Sequence, residues 1–346
     1  VGYPAGETLM AGAVLVLLAT YNGERYLREQ IDSILAQTDA EVSVLARDDG
    51  STDATLAILE EYAQQQPERF AVADAGPSTG TAKGNFLCLL QFALQTSSHP
   101  CLAFADQDDV WLPGKLAVEL ATMERLEQRW GAATPLLVFS DARVVDAELR
   151  VINASLWEQQ YADPVWIHRL ERILSQNVVA GCTAVINRPL AQMALAMPED
   201  AFMHDWWIAL LACAFGAAAF VPAPTVLYRQ HNANVVGAER ADRRWEWPVW
   251  RKHATRREQW EMTGRQAAAL LRVHAATLTV RQQDVLRAYL RCEMEPNRLV
   301  RVGTWLRYGF FPHGLKPGLA RLWYLWDMKA AKRGDRKAAR RLPLAK

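Results

Sequence analysis

The chain lacks most of the features by which secreted, metal-clustered and dinucleotide-binding proteins announce themselves. It has five cysteines, Cys88, Cys101, Cys182, Cys213 and Cys292, an odd number without a C-x-x-C pair. That argues against a disulfide framework and against a structural zinc site. Four of the five lie in apolar contexts as small core residues, and a reducing, cytoplasmic setting is expected. No run of 18 apolar residues occurs, so no spanning helix is expected. The apolar run Ala11 to Ala19 has no basic stretch ahead of it and leads straight into Thr20-Tyr21-Asn22-Gly23. It reads as a core strand rather than a signal peptide, with residues 1–12 as a disordered N-terminus. No G-x-G-x-x-G follows that strand. The loop Gly76 to Gly84 contains Gly80 and Lys83 but no Gly-Lys-Ser/Thr. Both the usual dinucleotide fold and a P-loop are therefore disfavoured.

What is present is sufficient for a large core: 346 residues, 51% hydrophobic and 22% charged. The formal net charge of +1 conceals an asymmetry. Residues 301–346 hold 12 Lys/Arg against two acids, a net of +10, so the other 300 carry −9. A basic end on an acidic body suggests a polyanionic partner. No recognised nucleic-acid motif accompanies it, so an anionic membrane surface is preferred. Self-association into a homo-oligomer stays open.

The chain is organised around Phe104-Ala105-Asp106-Gln107-Asp108-Asp109-Val110-Trp111. A short apolar strand, Cys101 to Ala105, precedes three carboxylates within four residues, and a helix is expected from Lys115 to Leu126. Three like charges this close repel one another, and a divalent cation with oxygen ligands, Mg²⁺ or Mn²⁺, resolves the repulsion. Strands are also expected at Val14–Leu18, Val42–Ala46, Phe70–Ala73 and Leu136–Ser140. Helices are expected at Glu24–Gln37, Ala54–Gln65 (capped by Ser51 or Thr52) and Asn85–Gln95. This alternation predicts an α/β protein with parallel βαβ units. Three strands then end in acids: Asp48/Asp49, Asp106/Asp108/Asp109 and Asp141. Ligands bind outside the carboxyl ends of strands in such sheets. Further on, Gly181-Cys182-Thr183 precedes a strand Ala184–Asn187. Asp205 stands near the N-terminus of an apolar helix ending at Phe215, beside Trp206. Short strands are expected at Phe220–Val221 and Thr225–Tyr228, before Arg229-Gln230-His231. Beyond Gly237 the chain is rich in Trp and Arg, with one helix expected over Gln266–Leu290. That region reads either as an interfacial segment on a bilayer or as a helical domain packed on the catalytic one.

Ala19-Thr20-Tyr21-Asn22-Gly23, Asp48-Asp49-Gly50-Ser51-Thr52-Asp53, Asp106-Gln107-Asp108-Asp109-Val110-Trp111 with Lys115, Asp205, and Tyr228-Arg229-Gln230-His231 together resemble the family 2 glycosyltransferases. The wording is most similar to rhamnosyltransferase-type members, which build bacterial surface polysaccharide. The resemblance implies a GT-A fold over 13–236: a Rossmann-like, mostly parallel sheet, with a C-terminal helical extension over 237–346. It implies an inverting, metal-dependent hexosyltransferase that takes a sugar, rhamnose from dTDP-rhamnose, from a nucleotide-diphospho-sugar donor to a glycan or lipid-linked acceptor. Such an enzyme would be cytoplasmic or peripheral on the inner face of the cytoplasmic membrane. By the same resemblance, Thr20, Tyr21, Asp48, Asp49, Lys83 and Asp106 would hold the nucleotide. Asp108 and His231 would hold Mg²⁺ or Mn²⁺, and Asp205 would be the base. Asp109, Trp111, Asp141, Gly181, Trp206 and Arg229 would lie near the sugars. Two departures stand out. The Gln/Arg-x-x-Arg-Trp motif of processive members is absent, since Ala241 precedes Arg244-Trp245. His204 occupies a position where many members carry Glu, which leaves Asp205 as the lone carboxylate there. The alternative from another class is a non-catalytic sugar-nucleotide or glycan-binding subunit that recruits a partner at the membrane.

Overall fold

The computed structural model describes residues 11–37, 40–74, 76–231, 251–312 and 315–327. The N-terminal stretch expected to be disordered, the expected boundary near 237, and Trp245, Trp247 and Trp250 lie outside these. The described residues fall into two compact units. The first takes those within Val1–His168, Asn177–Met197 and Met203–Asp242, and the second those within Arg169–Gln176, Pro198–Phe202 and Arg243–Lys346. The expected single break is therefore only approximate: two short segments before residue 203 belong to the second unit.

The first unit is built on one sheet. Its strands are β1 (Ala11–Thr20), β2 (Ala40–Asp48), β3 (Phe70–Val72), β4 (Cys101–Asp106), β5 (Val110–Trp111), β6 (Leu136–Val145), β7 (Val151–Asn153), β8 (Ala184–Asn187) and β9 (Ala217–Arg229). Their order is β3-β2-β1-β4-β8-β6-β9-β5, with β7 paired to β6. β1, β2, β3 and β4 are parallel, and so are β6 and β9; β8 runs antiparallel between β4 and β6. The continuous apolar runs Val14–Leu18 and Leu102–Ala105 are fully buried, as strands covered on both faces must be.

The helices follow the sequence closely in kind. They are α1 (Leu27–Leu35), α2 (Thr55–Gln65), α3 (Ala82–Thr96), α4 (Lys115–Trp130), α5 (Leu156–Gln160), α6 (Leu170–Ile173, in the second unit), α7 (Arg188–Ala194) and α8 (His204–Phe215). α1 buries Leu27, Gln30, Ile31 and Ile34, the inward stripe of an amphipathic helix. α3 packs across β1 and β2, and α4 across β6 and β9. Gly114, at φ 77°, is the N-cap of α4 in the left-handed region that glycine tolerates. The cap expected before α2 differs: Asp53 accepts the Thr55 N–H at 3.0 Å, while the Ser51 hydroxyl turns to Asp48 at 2.5 Å. The two short strands expected after α8 are the single strand β9. Beneath the sheet, Lys115 and Glu119 form a fully buried pair at 2.6 Å, and the Thr225 hydroxyl donates to Glu119 at 3.2 Å.

The second unit contains α9 (Arg251–His274), α10 (Val280–Met294), α11 (Arg298–Tyr308) and α12 (Leu315–Asp327). The single helix expected over Gln266–Leu290 is broken, because Thr279 and Gln282 form a capping box that starts α10. Leu270, Leu286, Tyr289, Cys292, Trp305, Phe310 and Leu325 are its core. Arg321 bonds Glu293 and lies 4.9 Å over the Trp260 ring. Among the described residues, Trp305 and Tyr324 turn inward, and Arg321 lies over both Trp260 and Tyr324, as in a packed helical body. No helix among the described residues is long and apolar enough to cross a membrane.

The Lys115–Glu119 pair yields a stability test. Lys115→Met leaves a buried carboxylate without its cation and should cost about 3–5 kcal/mol, whereas Lys115→Met/Glu119→Gln should recover most of the loss. Urea unfolding midpoints measure both. A single-variant cost under about 1 kcal/mol would mean that the pair is solvated.

Candidate active site

The ends of β1, β2 and β4 stop at one rim. There Thr20 Oγ1 donates to Asp48 Oδ1 at 3.1 Å, which ties β1 to β2. Asp48 also accepts the Gly50 and Ser51 N–H groups at 3.1 and 2.7 Å. Asp49 is buried and points the other way. Its carboxylate accepts from Arg47 Nη1 at 2.7 Å, from the Thr79 N–H at 2.7 Å and from the Gly80 N–H at 2.8 Å. Burial opposes its charge, but the Thr79 and Arg47 donors outweigh that and hold the carboxyl below the usual range. Asp48 and Asp49 therefore spend their oxygens inside the protein, holding the 48–51 turn and the 76–80 loop. Lys83 begins α3 and is not among the described residues that line the cleft.

The cleft has a volume of about 730 Å³ and is walled by Tyr21, Tyr26, Gln107, Asp108, Asp146–Glu148 and His231, among others. Gln107 fixes one wall: it accepts the Tyr21 N–H at 2.8 Å and donates to the Tyr21 carbonyl at 2.9 Å. A Cβ on Gly23 would land on that amide. The Tyr21 side remains open, 56% exposed. On the facing wall, His231 Nε2 lies 2.8 Å from Asp108 Oδ2 and its ring stacks on Tyr26 with centroids 5.0 Å apart. Both side chains are partly exposed to the cleft. A carboxylate oxygen and an imidazole nitrogen this close could both ligate one divalent cation.

Behind this wall sits Arg229, 2% exposed. Nε donates to the Asp108 carbonyl at 2.8 Å, Nη1 to the Ala147 carbonyl at 2.6 Å and Nη2 to Glu29 at 2.5 Å. The guanidinium lies 4.4 Å over the Tyr26 ring, and the Arg229 N–H donates to Asp109 at 3.0 Å. Arg229 and Asp109 are thus props of the wall and do not line the cleft. Asp109, Asp106 and Cys182 bring ligand atoms within 4.8 Å of one another, with Asp109 and Cys182 buried. Burial, then the charges of Asp108 and Asp106, push the Asp109 carboxyl well up.

Asp106 and Asp205 interact through their charges but are not among the described residues that line the cleft. Burial raises Asp106 to about 7, with the charges of Asp108 and Asp205 adding to it. Asp205 lies in the first turn of α8. Burial pushes it up to about 6, against the opposing N–H groups of Trp206 and Gly181 and the Asn177 side chain. The Trp206 N–H reaches Asp205 Oδ1 at 2.6 Å, and the Trp206 side chain is buried. His204 is pinned beside it between Phe86 and Phe104, with ring centroids at 4.1 and 5.3 Å. Burial lowers it to about 3, so it is neutral. A side chain on Gly181 would come within 2.8 Å of the His204 ring, so glycine lets the two segments meet.

Two expected residues lie elsewhere. Trp111 is in the core, 2% exposed, with the Lys115 ammonium 4.8 Å from its ring, so it cannot meet a sugar. Asp141 is not at a strand end: β6 runs on to Val145. Its carboxylate accepts from the Ser155 hydroxyl and from the Leu156 and Trp157 N–H groups at 3.0 and 3.2 Å, and so anchors the start of α5. Tyr26, Gln107, Glu29 and Arg47 were missing from the expected site. Gln107 was readable as an amide between acids at a strand end; Tyr26 looked like one more apolar position of a helix.

The parallel strands and acid-rimmed cleft define a GT-A nucleotide-diphospho-sugar transferase fold with a C-terminal helical region. The model of the family described as glycosyl transferase family 2 matches residues 15–130. The dTDP-rhamnosyl transferase RfbG of Shigella flexneri is 28% identical over 229 residues, 64% of this chain and 74% of that protein. The uncharacterized protein Rv1520 of Mycobacterium tuberculosis is 26% identical over 67% of this chain and 63% of its own length. Among solved structures, S. aureus TarS 1–349 in complex with UDP-GlcNAc aligns with a TM-score of 0.52 at 16% identity, covering 86% of this chain and 80% of that one. The mannosyltransferase PcManGT from Pyrobaculum calidifontis, in complex with GDP-Man and Mn²⁺, aligns with a TM-score of 0.51 at 17% identity, covering 85% and 73%. These two likenesses carry the fold alone. The chain is a glycosyltransferase.

The raised Asp205 carboxyl has a thermodynamic signature. Its folded value of about 6 exceeds that of an unfolded aspartate. Its contribution to stability is therefore complete below pH ~4 and lost as pH rises through about 6. Asp205→Asn should match the wild type in unfolding free energy near pH ~3.5 and exceed it at pH 8 by on the order of 1–3 kcal/mol. Equal destabilisation at both pH values would instead make Asp205 a simple helix cap.

Proposed function

We propose that the chain is an inverting, metal-dependent transferase that moves rhamnose from dTDP-rhamnose onto a glycan or lipid-linked acceptor of a bacterial surface polysaccharide. The observation that carries this reading is the Asp108–His231 pair, 2.8 Å apart on the cleft wall, together with the Asp205 carboxyl raised to about 6. The name of the Shigella relative supports the choice of donor.

In this reading the open Tyr21 ring offers a face for the base, and Gln107 keeps its backbone in place. Asp106, whose carboxyl is raised by burial and by the charges of Asp108 and Asp205, would contact a ribose hydroxyl. Asp108 and His231 would hold Mg²⁺ or Mn²⁺, which when bound supplies positive charge to the leaving diphosphate. Asp205, ionised above pH ~6, takes the proton of the acceptor hydroxyl as that oxygen bonds the anomeric carbon. The bond to the diphosphate oxygen breaks on the opposite face, so a single displacement inverts the configuration. Arg229 acts indirectly, by fixing the loop that carries Asp108.

The direct test is a thermal-shift screen of dTDP-, UDP- and GDP-sugars with Mn²⁺, followed by transfer assays. The largest shift should come from dTDP-rhamnose; a larger one from a UDP- or GDP-sugar would overturn the donor assignment. Asp108→Ala and EDTA should each abolish transfer, and full activity in EDTA would remove the metal from the reaction. Asp205→Asn should lower kcat by about 10²–10⁴-fold with little change in donor KM. A change in donor KM alone would make Asp205 a binding residue.

A further inference from the structure

We propose that the outward face of α11 and α12 is a docking surface for an anionic lipid bilayer. The two helices pack on each other. In α12, Arg321, Tyr324 and Leu325 turn inward, while Leu319, Trp323 and Trp326 are 56%, 49% and 45% exposed. Those three positions, four and seven residues apart, form one stripe of a helix. In α11, Arg301 and Trp305 turn inward, while Leu299 and Leu306, seven apart, are 68% and 53% exposed. The Arg298 guanidinium lies 5.1 Å over the Trp326 ring, joining the N-terminal end of α11 to the C-terminal end of α12. The two stripes therefore meet at that end. Single exposed apolar residues are ordinary, but two adjacent stripes on one body form a patch of the kind that binds something.

Chemistry selects the partner. Two exposed indoles suit the headgroup region of a bilayer, where an apolar ring with a polar edge is most at home. The charges framing the patch are positive: Arg298 and Arg307 are exposed at the two ends of α11. α12 ends at Asp327, and residues 328–346, outside the described structure, hold eight Lys/Arg against one acid by sequence. An anionic surface complements that charge. A second copy of the same face would set basic residues against basic residues, which disfavours self-pairing. The proposal is independent of the donor and of the chemistry at Asp205.

The test uses the full chain and sedimentation with vesicles of mixed phosphatidylglycerol and phosphatidylcholine, against vesicles of phosphatidylcholine alone. Binding should require phosphatidylglycerol and fall as salt rises. Leu299→Ser/Leu306→Ser/Leu319→Ser replaces exposed aliphatic side chains only, so its circular dichroism and melting temperature should stay those of the wild type. Its partition coefficient should drop about tenfold or more. Arg298→Glu/Arg307→Glu should weaken binding at low salt more than at high salt. Unchanged binding by the triple serine variant, or no binding by the wild type, overturns the proposal. So does a triple variant that turns a dimer into a monomer in sedimentation velocity, since the face would then join two copies.

Discussion

One buried cation holds the cleft wall of this protein together. Arg229 closes β9, and its planar fork meets three different parts of the first unit: Glu29 on α1, the Asp108 carbonyl after β4 and the Ala147 carbonyl after β6. A charge so deeply buried is tolerable only because every direction of the fork finds an acceptor. Lysine, a point charge on a flexible stem, could not make the same bonds at once. The consequence is geometric. The loop carrying Asp108 and the strand end carrying His231 are fixed by the same side chain, so the two cleft-facing groups keep their separation when neighbouring loops move. Tyr26 lies beneath both, under the guanidinium on one side and against the imidazole on the other.

The strand-end acids are one residue type placed in several environments. Asp49 is buried among donors and held as a carboxylate. For Asp106 and Asp205 the loss of solvation outweighs the donors that reach them, and the carboxyls are raised to about 7 and 6. Asp141 is raised too, although it has ordinary helix-start partners. Repeated aspartates are thus set apart by the balance of burial against donors and, at Asp49, by the Arg47 charge.

The strands and helices of the first half were legible because continuous apolar runs and amphipathic spacing are local signals. So was the clustering of acids, since parallel strands all end at one rim. The orientation of each acid was not legible, because it depends on distant donors: Arg47, Thr79 and Gly80 for Asp49, Ser155 for Asp141. Trp111 was misplaced for a related reason. It follows the acids in sequence, but β5 pairs with β9 and turns the ring into the core. The break between α9 and α10 was missed because the Ala-rich helical pattern runs through Ala275-Ala276, and only the Thr279–Gln282 box stops it. β8 escaped the simple rule that sites lie where strands end. It runs the other way, so Gly181 and Cys182 contribute to the site from the beginning of a strand.

The Gln107 clamp ends the sheet in an unusual manner. Its side-chain amide bonds both polar atoms of the Tyr21 peptide, as a neighbouring strand would, and so adds one more rung of ladder after the backbone of β4 has turned away. That rung occupies the space a side chain at position 23 would need. The two positions are therefore coupled in space although 84 residues separate them. A side chain at 23 would have to displace the Gln107 amide, and with it the two bonds that hold the Tyr21 peptide at the mouth of the cleft.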